Sequence, residues 1–278
     1  MTKITASDVN KLRQITGIGI MDCKKALVES DGNFEKAIIY LRKKGKKLSE
    51  KRAGKEAKQG IVISKASQDN KKVVSIMLNC ETDFVAMNQE FKNLANTILD
   101  KALSEMPKSI EQLKSLTVNG KTIADIILDN MGKTGEKIEL SNYEYIESPK
   151  VFAYNHQGNR LSAIVGLNKN NIDNIDIIAK EISMQIAAMS PVAIDKNDVN
   201  PKIVENEIEI GKEQARREGK PEKMIGKIAI GKLNKFYQEN TLLNQKYIRD
   251  NKKTIRQYLA ENDKDLTVTD FKRLMLKE

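Results

Sequence analysis

Apolar residues recur along the first 45 or so positions with the spacing of short amphipathic helices. Val9, Leu12 and Ile15 share one face of a first helix that Ser7 or Asp8 can cap. Thr16-Gly17-Ile18-Gly19 interrupts it. A second helix, over about Met21–Ser30, puts Cys23, Ala26 and Leu27 on one side, and Asp31-Gly32 ends it. Phe34, Ala37, Ile38 and Leu41 then fall at i, i+3, i+4 and i+7, the stripe of a third helix. Three helices of this length enclose a very small core. The periodicity stops at Arg42. From there to Lys58 the chain carries nine Lys or Arg and two Glu, and reads as a solvated helix extension and flexible linker.

Beyond the linker the pattern changes to strands and turns. Gly60–Ala66 and Lys71–Asn79 predict a hairpin around Asp69-Asn70, followed by a helix with Phe91, Leu94, Ala95, Ile98 and Ala102 in register. The order then repeats. Tyr143–Asn155 and Leu161–Leu167 flank Gln157-Gly158-Asn159, and a helix carrying Ile175, Ile178, Ala179, Ile182 and Ile186 follows. Two such units predict an α+β class built from repeated antiparallel-sheet/helix subdomains. A short helix with Ile123, Ile126, Ile127 and Met131 lies between them. Pro201–Glu218 and Pro221–Gln238 form a helical pair reversed at Gly219-Lys220-Pro221. Val204, Ile208 and Ala215 give one helix a thin seam; Met224, Ile225, Ile228, Leu233 and Phe236 give the other its apolar face. A narrow seam between polar helices predicts a protruding antiparallel coiled-coil hairpin. The chain returns through Tyr247–Leu259 and closes in a polar tail. The expected divisions are residues 1–54, 55–141 and 142–278, with the coiled coil inserted at about 192–238.

Composition narrows the chemistry. The 278 residues are 31% charged and 5% aromatic, without Trp, and carry a formal net charge of +10. That charge favours acidic protein surfaces or nucleic acid as partners. No aromatics interleave the basic run for bases to stack on, so direct nucleic-acid binding is not expected; RNA or ribosome binding through Arg42–Lys58 stays as the alternative. Cys23 and Cys80 are far apart and His156 is the only histidine, which disfavours a disulfide framework or a metal site. A polar N-terminus and the absence of a long apolar run point to a cytoplasmic chain with no membrane segment. Gly120-Lys121-Thr122 and Gly132-Lys133-Thr134 resemble the end of a phosphate-binding loop. Ser115 and Ile127 stand where its first glycine is needed, so the backbone cannot wrap a phosphate there. No nucleophile pattern accompanies His156. Neither an enzyme nor a cofactor is expected.

One segment remains. The strand Val73–Leu78 runs into Asn79-Cys80-Glu81-Thr82-Asp83-Phe84-Val85 and a helix follows. In such a corner Thr82 or Asp83 can cap the helix while Phe84 packs as a staple, or Phe84 can project outward to wedge into another molecule. Both readings are open from the local residues.

Leu78–Ala86 closely resembles the second signature of bacterial elongation factor Ts, and Leu12–Leu27 resembles the first. Gly219–Lys223 through Lys235-Phe236-Tyr237, and Asn251–Thr254, resemble the family's coiled-coil and return segments. The resemblance implies an N-terminal three-helix ubiquitin-associated-like module and two α+β core subdomains, with the coiled coil in the second. It also implies a guanine-nucleotide exchange factor rather than an enzyme. The partner would be elongation factor Tu, in its GDP-bound and nucleotide-free forms, whether as a one-to-one complex or a dimer of heterodimers. Carried over, Thr82, Asp83, Phe84 and Val85 enter the partner's GTPase domain and disturb its magnesium and phosphate site. Leu12, Gly17, Ile18, Gly19 and Met21, together with His156 and Arg160, are the secondary contacts. Met77, Met87, Gln157, Asn159, Leu161 and Ser162 depart from the family's usual residues. The closing segment Val268–Glu278 departs from the usual Arg-Phe-rich strand and further helix, which implies a shortened C-terminal end. A structural adaptor acting through Pro201–Gln238 is the remaining alternative.

Overall fold

The computed structural model describes residues 4–277. It opens with α1 (Ala6–Thr16), α2 (Ile20–Glu29) and α3 (Phe34–Arg52). A hairpin of β1 (Gln59–Ala66) and β2 (Lys72–Cys80) follows, then α4 (Asp83–Met87), α5 (Gln89–Glu105) and α6 (Ile110–Ser115). The short β3 (Thr117–Val118) and β4 (Lys121–Thr122) lead into α7 (Ile123–Thr134) and β5 (Ile138–Glu147). Next come β6 (Lys150–Asn155), β7 (Leu161–Leu167), α8 (Ile175–Met189), α9 (Pro201–Arg217) and α10 (Glu222–Asn240). The chain finishes with β8 (Lys246–Tyr247), β9 (Asp250–Thr254), α11 (Ile255–Asn262) and β10 (Val268–Met275). The class is α+β, as the alternation of patterns predicts. Two compact units divide it: one holds the chain through Ile63, Ile76–Tyr143 and the end from Met275; the other holds Ser64–Ser75 and Glu144–Leu274.

In the first unit, Val9, Leu12, Ile18, Cys23, Ala26, Leu27, Ala37 and Leu41 form the small core of the three helices. The cap of α1 is Thr5, not Ser7 or Asp8. Its hydroxyl accepts from the Asp8 N–H, and the Asp8 carboxylate accepts from the Thr5 N–H at 3.0 Å, a reciprocal box that outcompetes a lone cap one turn later. Ile15 is 60% exposed rather than core, because α1 ends one residue later at Thr16, with Gly17 as its left-handed cap. The basic run is corrected in part. Arg42–Arg52 is the expected helix extension, with most of its basic side chains exposed, but the helix packs on α7 instead of giving way to a linker there. Gly45 makes this possible: a Cβ there would stand 3.3 Å from the Leu128 carbonyl oxygen. Deleting one side chain lets the two helix backbones meet while lysines occupy the other faces. α5 buries Phe91, Leu94, Ala95, Ile98, Leu99 and Ala102.

The expected strand Tyr143–Asn155 is two strands. Pro149 has no N–H to give a ladder, and the chain turns at Ser148-Pro149. β5 joins a sheet of order β1-β2-β5, and β6 pairs antiparallel with β7 in register Lys150↔Leu167 through Asn155↔Ser162. The polar tail is also corrected: β10 pairs with β7 in a sheet of order β10-β7-β6. α8 covers that sheet, with Ile175, Ile178, Ile182 and Ile186 against Ala163, Val165, Leu167 and Val268. Asn155 ties the hairpin to β1. Its Oδ1 accepts from the Ser64 N–H (2.8 Å) and hydroxyl (2.9 Å), and its Nδ2 donates to the Ser64 carbonyl (2.9 Å).

α9 and α10 pair as predicted, but through smaller residues. Gly211, Ala215, Ile225, Ala229 and Leu233 are buried, whereas Met224 is 45% exposed. A Cβ on Gly211 would lie 3.2 Å from the Ala229 Cα, so these helices touch nearly backbone to backbone and leave little room for a wide seam.

Candidate functional site

Thr82 sits in extended backbone between β2 and α4, and its hydroxyl accepts from the Val85 N–H at 3.4 Å as the cap of α4. The same hydroxyl donates to Glu136 Oε1 at 2.6 Å, and the Thr82 N–H donates to Glu136 Oε2 at 3.0 Å. One residue earlier, Glu81 accepts from the Arg52 guanidinium at 2.8 and 2.6 Å and from the Lys137 N–H at 2.6 Å. The Lys137 ammonium donates in turn to the carbonyls of Ala53 (3.3 Å) and Lys55 (3.2 Å). Cys80 Sγ donates to the Thr82 carbonyl at 3.1 Å. Three consecutive residues are thus fixed from three directions.

Burial works against the charge of Glu81, but the Lys137 N–H and the Arg52 guanidinium outweigh it and hold the carboxyl below its usual range. Burial, followed by the negative charge of Glu136, pushes the Cys80 thiol up to about 12. The thiol therefore keeps the proton that it donates to Thr82.

On this support stands an unsupported ring. Phe84 is 82% exposed, and Met87 beside it is 68% exposed. Asp83 is exposed in the first turn of α4, where the helix dipole favours a negative charge; Val85 is half-buried and Ala86 buried. Thr82 therefore supplies the cap, and Phe84 does not act as a staple. A large aromatic left in water on a fixed backbone is a feature of binding surfaces.

The other candidate residues separate into two places. At the α1–α2 turn, Gly17, Gly19 and Met21 are exposed, with Ile20 alongside. Leu12 and Ile18 are buried in the three-helix core, so they hold this turn from inside. His156 and Arg160 are exposed at the β6–β7 turn, where the Tyr154 hydroxyl and His156 Nδ1 lie 2.9 Å apart. The lysines of the false phosphate loops are engaged elsewhere: Lys121 pairs with Asp129 at 2.5 Å, and the Lys133 stem lies over Gly17. Among the described residues no group of three His, Cys, Asp or Glu side chains could hold a metal ion, and no helix is long and apolar enough to cross a membrane. Sequence reasoning missed Glu136 and Arg52. Each bonds across more than 25 intervening positions, and no local pattern marks such a pair.

The α+β fold and its exposed corner fall, by comparison with known proteins, in the class of translation elongation factors. A family described as elongation factor TS matches residues 81–278. An elongation factor Ts of Cytophaga hutchinsonii is 48% identical over 277 residues, covering 99% of this chain and all of that protein. One from Amoebophilus asiaticus is 46% identical over 273 residues (98% and 99% covered), and one from Christiangramia forsetii is 45% identical over 276 (99% and 100%). The chain belongs to the elongation factor Ts family.

Proposed function

We propose that this chain is a cytoplasmic guanine-nucleotide exchange factor that binds elongation factor Tu and releases its GDP during polypeptide elongation. The observation that carries the reading is Phe84, 82% exposed on a corner whose backbone is tied at Cys80, Glu81 and Thr82. On this reading the ring wedges into the partner's GTPase domain, Asp83 supports the contact, and the displaced partner residues no longer hold magnesium and the phosphates. Diphosphate charge left without compensation weakens GDP binding. Met21 with Gly17 and Gly19, and separately His156 and Arg160, serve as secondary contacts. Residues 1–54 act as the docking module, 55–141 and 142–278 as the core subdomains.

Exchange is a coupling between two ligands of the partner, each weakening the other by the same factor. A release enhanced about ten-thousandfold needs roughly 5.5 kcal/mol of differential binding. One phenylalanine supplies about 1.5–3 kcal/mol. The remainder has to come from the secondary contacts, which suits a chain that spreads exposed apolar and basic residues over several elements. No covalent bond is made or broken, so the chain needs no catalytic residue of its own.

The test is direct. Elongation factor Tu loaded with a fluorescent GDP is mixed with the purified chain and excess unlabelled GDP, and loss of the label is timed. The expected result is release that accelerates with chain concentration and saturates. Release at the intrinsic rate at every concentration overturns the proposal, and tight, steeply salt-dependent RNA binding without exchange would favour a role for the basic helix α3 instead.

A further inference from the structure

We infer that Glu136 is a positioning residue for Phe84: its carboxylate accepts from both hydrogen-bond donors of Thr82 and so fixes the direction in which the ring is presented. The inference rests on the exchange reading given above. α4 has only five residues. A helix of little more than one turn does not hold itself together in water. Nor does Phe84 steady it, since a ring 82% exposed has few neighbours in its own chain. The far end of α4 is held by buried Ala86 and by Asn88, which opens α5, so the direction of the ring depends on what fixes the N-terminus of α4.

A threonine cap alone leaves its hydroxyl free to rotate. Here the hydroxyl hydrogen goes to Glu136 Oε1 at 2.6 Å, which turns an oxygen lone pair toward the Val85 N–H. The second carboxylate oxygen takes the Thr82 N–H at 3.0 Å, so backbone and side chain are held by one rigid fork. Glu136 is itself well placed to do this. Gly135 closes α7 immediately before it, and Ile138, buried, starts β5 two residues after. The neighbouring Lys137 N–H holds Glu81, so residues 136 and 137 bind 82 and 81 in opposed order. Without the fork, the corner must be ordered at the moment of binding, and that cost falls on the step in which the ring enters the partner.

The chain has no Trp, so Phe84→Trp makes a unique fluorescent reporter of the corner. In the free chain, adding Glu136→Ala to Phe84→Trp should increase the amplitude of fast indole rotation in the anisotropy decay, with circular dichroism unchanged. In the exchange assay, Glu136→Ala should lower the maximal release rate by about tenfold, comparable to one charge-assisted hydrogen bond lost from the bound corner. Glu136→Gln, which keeps one acceptor, should fall between. The same change made on a Phe84→Ala background should cost less than about twofold, because a positioning residue matters only through what it positions. Anisotropy that ignores Glu136→Ala, or an equal loss on both backgrounds, overturns the inference. If the wild-type chain does not accelerate release, the exchange reading fails, and the anisotropy comparison alone then decides whether Glu136 orders the corner.

Discussion

Replacing Phe84 by Ala separates what the ring does for the fold from what it does for a partner. The ring keeps 82% of its surface in water, so most of its transfer free energy is unspent in the free chain. Full burial of a phenylalanine stabilises by about 1.5–3 kcal/mol, and four-fifths of that is about 1.2–2.5 kcal/mol. If this is realised in the exchange transition state, Phe84→Ala slows maximal GDP release about 8- to 70-fold at 1.36 kcal/mol per decade. The covered remainder is worth only about 0.3–0.5 kcal/mol to the fold, a shift in melting temperature of roughly 1–2 °C. Stopped-flow release of fluorescent GDP at saturating chain gives the first number, and thermal melting gives the second. A release rate within twofold of wild type, with the complex fully formed, would remove the ring from the mechanism. A large loss of thermal stability would show that the ring is not standing free in solution.

Gly45→Leu forces a side chain against the Leu128 carbonyl oxygen, a backbone atom that cannot swing aside, and should cost about 1–3 kcal/mol in chemical denaturation; an unchanged midpoint would mean that α3 does not cross α7 at Gly45. Cys23 and Cys80 are both fully buried, so neither should react with a thiol reagent at pH 8 until denaturant is added; one rapidly labelled thiol contradicts this. Glu81 has its carboxyl held below the usual range, so its contribution to stability is complete above the unfolded value near 4.5 and disappears as pH falls through the lower folded value. Glu81→Gln should therefore lose stability at pH 7 and approach wild type under acid; a constant difference across that range refutes the assignment.

What the sequence disclosed depended on distance. Stripes such as Phe91-Leu94-Ala95-Ile98 and Ile175-Ile178-Ala179-Ile182 carry their own period, and the helices lie where those stripes put them. The reversal of α9 into α10 was likewise marked by a glycine and a proline. The docking of α3 on α7 was hidden because its contact is a missing side chain, Gly45, set among lysines that suggest solvent. β10 was hidden because Asp270, Lys272 and Arg273 mask a strand whose buried positions are Val268 and Leu274. At the corner, Thr82 was legible as a possible cap, but the outward direction of Phe84 was not. It depends on Glu136, which holds Thr82 from 54 positions away, and residues paired at that distance leave no trace in local composition.

The tie between Asn155 and Ser64 has a consequence beyond local geometry. β1 is an end strand of its sheet, and an end strand is where a stranger's strand can add on. One side-chain amide, shaped like a peptide unit, occupies both the N–H and the carbonyl of Ser64. It works as a stopper in the seam along which such chains begin to stack, so Asn155→Ala should first be noticed as turbidity in concentrated, warm solution rather than as lost activity.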